Sequence, residues 1–122
     1  MIKLTFCLVR LPHLTRDAFQ DYWLNTHGPL VASVAQTLGI RRYVQLHSLS
    51  AEANAGIRAS RDAPEAYDGV AELWFDSLEA LAANGAREEA RAASALLLED
   101  ERRFIDLARS PLWWGEEKVV VG

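Results

Sequence analysis

The sequence predicts an α+β domain with the ferredoxin-like order β-α-β-β-α-β, an antiparallel four-stranded sheet carrying its helices on one face. Three observations carry that prediction. Short runs with a two-residue apolar period alternate with two longer segments whose apolar residues recur every three or four positions. The order of these segments is that of a split β-α-β unit with a second helix and strand appended. The first strand is apolar on both faces, so its sheet must be covered twice. The chain's own helices cover one side and a second copy the other, which predicts a homodimer with sheets packed face to face.

The first strand is expected over Ile2–Arg10, with Ile2, Leu4, Phe6 and Leu8 on one face and Thr5, Cys7 and Val9 on the other. Leu11, Pro12 and His13 connect it to a helix over Thr15–Gly39. Thr15 is a good N-cap, Asp17 adds a carboxylate to the positive end of the helix, and Gly39 is a left-handed stop. Phe19, Trp23, His27, Leu30, Val31, Val34 and Leu38 share one face at 100° per residue, so the His27 imidazole points inward. Pro29 lacks the N–H that would reach the carbonyl of Asn25, and the helix is expected to kink or restart there.

The second strand is expected over Ile40–Leu49, with Tyr43, Gln45 and His47 on one face and Arg42, Val44 and Leu46 on the other. Ser50–Tyr67 reads as a long solvated loop. Asp68–Phe75 is the third strand, opened by the turn pair Asp68-Gly69, with Val70, Glu72 and Trp74 opposite Ala71, Leu73 and Phe75. Ser77 caps a second helix that breaks at Asn84-Gly85 and resumes over 86–100. Ala90, Ala93 and Leu97 form its inner stripe, and its charges a solvated face. Phe104, Ile105, Leu107 and Trp113 wrap back over the core, and Lys118–Val121 is expected as the last strand, its tail anchored by Trp113-Trp114.

With 122 residues and no internal boundary, residues 1–122 read as a single domain. The net charge is -4, pI is about 5.3 and no basic run occurs, so a nucleic-acid partner is not expected. Only six uncharged residues separate Lys3 from Arg10, too few for a signal or a membrane span, and a cytoplasmic protein without membrane contact is expected. The single cysteine, Cys7, reads as a small core residue.

Five stretches together resemble one family: MIKLTFCLVR, FQDYWLNTHGPLV, GIRRYVQLH, YDGVAELWFDSLEAL and DERRFIDLARSPLWWGEEKVVV. They look like the EthD domain of the dimeric α/β barrel superfamily, most specifically through the Tyr-Trp followed by His-Gly-Pro-Leu-Val. The resemblance implies a dimeric barrel with a pocket between sheet and helices. It implies no single reaction: the family takes its name from a protein needed for ethyl tert-butyl ether degradation alongside a cytochrome P450 system. Superfamily relatives include cofactor-free cyclases, monooxygenases, dehydratases, decarboxylases and haem-binding enzymes, and fold alone selects none of them.

His27 is the candidate catalytic residue, because imidazole titrates near neutrality and a pocket wall tunes it further. Phe19, Tyr22 and Trp23 offer an aromatic wall for a flat hydrophobic or oxygenated aromatic small molecule. The competing structural reading ties His27 to a carbonyl freed near Asn25. Tyr43, His47, Glu72 and Trp74 are further candidate substrate-binding residues, with Glu72 placed to orient an imidazole if its face of the strand meets the first helix. His13 reads as surface. No HExxH motif, cysteine cluster or phosphate-binding glycine loop occurs, so neither a metal nor a nucleotide is expected. A Cys7 nucleophile paired with His27 conflicts with burial of the thiol. Cofactor-independent acid/base chemistry of dehydratase, cyclase or oxidoreductase type is the expectation, with haem ligation by His27 as the cofactor alternative and a non-catalytic accessory protein for a catabolic oxygenase as the functional one.

Overall fold

The computed structural model describes residues 1–122. Four strands, β1 (Ile2–Leu8), β2 (Arg42–His47), β3 (Gly69–Phe75) and β4 (Leu112–Gly115), form one sheet in the order β2-β3-β1-β4 with every pairing antiparallel. Between β1 and β2 run α1 (Arg16–Tyr22), a π-helical turn (Trp23–His27) and α2 (Gly28–Leu38). Then come α3 (Ala51–Ala59) before β3, and α4 (Leu78–Gly85) and α5 (Glu88–Glu101) between β3 and β4. This is the expected ferredoxin-like arrangement. No helix is long and apolar enough to cross a membrane.

The alternation of β1, β2 and β3 sorts their residues as the sequence predicts. Leu4, Phe6, Leu8, Tyr43, Ala71, Leu73 and Phe75 all turn toward the helices, and Phe6, Leu8 and Ala71 join Phe19, Trp23, Phe104 and Ile105 in one buried cluster. Cys7 is also buried, but on the other side of β1, so the sheet separates it from His27. Burial pushes its thiol upward, against a nucleophilic role.

Thr15 and Ser77 cap as expected, each accepting a hydrogen bond from the backbone N–H three residues on, and Gly39 takes the left-handed conformation at φ 76°; Ser50 caps α3 in the same way, which the sequence does not predict. Of the kink or restart expected at Pro29, the structure shows the restart, with α2 beginning at Gly28. The turn before it widens: the Gly28 N–H bonds the Trp23 carbonyl five residues back, and Pro29 falls at the start of α2, where a missing N–H costs nothing.

Four expectations need correction. β1 ends at Leu8 rather than Arg10, because Arg10 turns aside to Asp68 and the Leu14 carbonyl and keeps only an isolated bridge to Ile105. β2 spans Arg42–His47, shorter at both ends than Ile40–Leu49. The supposed loop holds α3, whose alanines favour a helix but whose exposure on all sides leaves no apolar stripe to read. The last strand is Leu112–Gly115, not Lys118–Val121. Trp113 and Trp114 form the strand itself, paired with Thr5 and Leu4, and Val119–Val121 are exposed.

Asp68, read from sequence as half of a turn, is a buried anchor. It accepts from the Arg10 N–H at 2.8 Å, from the Arg10 guanidinium at 2.5 Å and from Arg16 Nε at 3.1 Å, fastening the end of β1 and the start of α1 to the start of β3.

Candidate active site

Between the helix layer and the sheet lies a cavity of about 280 Å³, lined by 19 residues of which 16 are hydrophobic. The remaining three are His27, Ser94 and Glu101, and no lysine or arginine is among them. Such a space is at the small end for ligand pockets and lets a few polar groups set the chemistry.

His27 closes the π-turn and is only 5% exposed. Its Nδ1 lies 2.7 Å from Asp100 Oδ2. Asp100 continues the inner stripe of α5, at Ala90, Ala93, Leu97 and Asp100, and its other oxygen accepts from the Tyr22 hydroxyl at 2.6 Å and from Arg103 at 3.1 Å. Burial opposes the charge on Asp100, but donation by Tyr22, His27 and Arg103 outweighs it and holds the carboxyl below its usual range. Burial pushes Tyr22 up, and Asp100 adds to the push, so the phenol keeps the proton it donates. For His27 burial prevails over the attraction of Asp100 and lowers the imidazole from its ordinary value of 6.5. At neutral pH the ring is therefore uncharged. An ionised Asp100 fixes the proton on Nδ1, leaving the Nε2 lone pair without a protein partner on the wall of the cavity.

Glu101, one residue on, turns 100° from Asp100 and into the cavity. No side chain or backbone group hydrogen-bonds its carboxyl. Burial, reinforced by the charge of Asp100 and only partly offset by Arg102, raises it from 4.5 to about 7. The neighbouring carboxyls thus diverge: Asp100 is a fixed anion, while Glu101 exchanges its proton near neutrality.

From the sheet, Tyr43 reaches the same cavity. Gln45 Nε2 donates to the Tyr43 hydroxyl and to the Trp23 carbonyl, each at 2.9 Å, which fixes its amide oxygen toward His47 Nε2 at 2.7 Å. The Tyr43 oxygen thus accepts from Gln45, and its own hydrogen is not spent on that bond.

The structure places the remaining candidates as follows. Trp23 lines the cavity and His27 sits beside it, but Phe19 is fully buried in the core and Tyr22 acts through Asp100. His47 stacks on Trp23 with ring centroids 4.6 Å apart, in a shallow groove outside the cavity beside Pro29. Glu72 and Trp74 lie on the far face of the sheet. There Glu72 pairs with Lys3 at 3.0 Å, and Trp74 donates to Glu117 beneath the Arg42 guanidinium, 4.7 Å from its ring. Neither lines the cavity, because alternation along β3 turns them away while Ala71, Leu73 and Phe75 face it. The carboxylate that orients His27 is Asp100, not Glu72, and the bond expected to a carbonyl near Asn25 is not made. Asp100 carried a signal, since it extends the Ala90-Ala93-Leu97 spacing by one step. Glu101 carried none, because it sits in a run of charges.

The EthD domain matches residues 11–108 of the chain. An EthD family protein from Bacillus halodurans C-125 superposes with a TM-score of 0.62 at 23% identity, covering 97% of this chain and 99% of its own. An EthD-like protein from Ralstonia eutropha JMP134 gives 0.59 at 21% identity over 98% and 92%. A dimeric protein of ferredoxin-like fold from Bacteroides fragilis gives 0.58 at 10% identity over 95% of each chain. No curated protein sequence matches.

Proposed function

The chain belongs to the EthD domain family, and we propose that it binds a compact hydrophobic or oxygenated aromatic molecule in the cavity beside α2 and moves a proton on it with His27, without a cofactor. The observation that carries this reading is the pairing of His27 Nδ1 with Asp100 while Nε2 is left on a mostly apolar wall. A neutral imidazole held in one tautomer by a carboxylate is a general base with its acceptor already aimed. Tyr43 supplies a hydrogen-bond donor for a substrate oxygen, and Trp23 and Trp114 supply flat apolar surface. The reading without a cofactor is supported by the lining, which offers no lysine or arginine to pair with haem propionates.

A second reading, a binding or accessory protein of a catabolic oxygenase system, is favoured by the same apolar lining, which would serve capture alone. Both readings require binding. Titration with 2-naphthol is expected to quench the emission of Trp23 and Trp114 saturably, with Kd on the order of micromolar. A linear response up to millimolar concentration would remove the cavity from both.

The functional unit in this proposal is a homodimer. The sheet face turned from the helices carries Leu46 and Trp113, each at least half exposed, among Arg42, Lys3, Glu72 and Trp74. Such a mixed apolar and charged surface suits a face-to-face partner. Light scattering is expected to give twice the 13.6 kDa of one chain, and a monomer at micromolar concentration would sink this part of the proposal.

A further inference from the structure

Asp100 and Glu101 are sequence neighbours with opposite fates. Every oxygen of Asp100 is engaged by the protein, whereas the Glu101 carboxyl faces the cavity with no protein partner. Glu101 is half-buried, and a carboxyl on an apolar wall with no protein partner takes its hydrogen bonds from whatever occupies the space, water or ligand. The cavity wall therefore holds one proton acceptor, His27 Nε2, and one carboxyl able to give a proton, Glu101. The absence of lysine and arginine from the lining, together with the Glu101 carboxyl on its wall, disfavours an anionic ligand.

We propose that Glu101 is a second catalytic residue, the proton donor that works opposite His27, and that the site enolises uncharged carbonyl compounds with an acidic C–H next to the carbonyl. This rests on the reading of His27 as a general base. In the step, His27 Nε2 takes the α-proton and the electron pair of the broken C–H bond forms a C=C bond. The π pair of the carbonyl takes the proton of Glu101 as a new O–H bond, leaving imidazolium and carboxylate. Return of a proton from His27 to carbon, and of the hydroxyl proton to Glu101, restores both groups, so no oxidant or other reactant is consumed. Tyr43 adds a hydrogen bond to the same oxygen. A lone base would have to form a free enolate in an apolar cavity, and a donor at the oxygen avoids that charge.

Base and acid must be in opposite protonation states, which predicts a narrow bell-shaped pH profile. The groups facing the pair are Asp100 beside His27, and Asp100, Arg102 and Tyr43 around Glu101. The acid limb belongs to His27 and lies below 6.5; the alkaline limb belongs to Glu101 and lies at about 7.

The test is deuterium exchange from D₂O into the α-carbon of 2-tetralone, followed by NMR across pH. The wild-type protein is expected to accelerate exchange. Glu101→Gln is expected to lower kcat by about 10²-fold and abolish the alkaline limb while still binding 2-naphthol, and Glu101→Asp keeps that limb at reduced rate. Full activity and an intact alkaline limb in Glu101→Gln would overturn the role of Glu101, and with His27→Asn inactive would leave the His27 reading standing. Loss in Glu101→Gln but not in His27→Asn would uphold Glu101 and overturn the reading of His27. Failure of the wild type to exchange 2-tetralone would overturn the carbonyl class.

Discussion

Replacing His27 with asparagine is expected to lower turnover by about 10²- to 10⁴-fold while changing the affinity for 2-naphthol by no more than about threefold. Asparagine suits the purpose because its amide can still donate toward Asp100, the bond that His27 Nδ1 makes at 2.7 Å. The buried carboxylate then keeps a partner, so the loss reports the missing lone pair rather than an orphaned charge. Alanine would mix the two effects. Because His27 is uncharged at neutral pH, the deficit should persist through pH 7 to 8, above the range in which the wild-type imidazole gains its proton. Steady-state kinetics beside fluorescence titration decides the matter. Turnover equal to the wild type would mean the cavity only binds, and the accessory-protein reading would stand in place of acid/base chemistry.

The second large effect is expected at Gly69, where alanine should destabilise the fold by about 3 kcal/mol, at the upper end of overpacking costs, and lower Tm by about 10 °C. Gly69 has an ordinary φ; what requires glycine is the indole of Trp23 packed against it. A Cβ there would stand 2.7 Å from Cη2 of Trp23, closer still to Cζ3, and 2.9 Å from the Leu46 carbonyl oxygen. Trp23 is 1% exposed and backed by Phe19 and His47, so the ring has nowhere to retreat. The effect reaches the site, because the Trp23 carbonyl also accepts from Gln45, which aligns Tyr43. Calorimetry checks the prediction, and a Tm within about 2 °C of the wild type would show that Trp23 is less confined than its contacts indicate.

Much of this architecture is legible because burial imposes periodicity. The faces of β1 and β3, the inward turn of His27, the caps Thr15 and Ser77 and the stop at Gly39 all follow from spacing or from residue types with one local conformational role. What escapes follows different physics. α3 is exposed on every side and leaves no apolar stripe, so its alanines blend with a solvated loop. β4 is marked by two tryptophans that look like anchors, while Val119–Val121, the more strand-like run, has no neighbour to pair with. The orienting partner of His27 lies 73 residues away, and alternation alone could not say which face of β3 meets the helix. Glu72 is therefore spent on Lys3, while Asp100 takes the role by standing on a stripe of alanine and leucine. Glu101 is least legible, since only its place on the cavity wall distinguishes it from the charges around it.

The π-turn at Trp23–His27 makes this helix one residue longer than an α-helix of the same rise. Wound as an unbroken α-helix without the bulge, the same residues would turn the second half by about 100° relative to the first. The Trp23 indole over Gly69 and the His27 ring over Asp100 could not both be kept. Leu24, Asn25 and Thr26, between these fixed points, are exposed. Their identities are free while their number is not: in this segment it is the count of residues, more than their chemistry, that aims the imidazole.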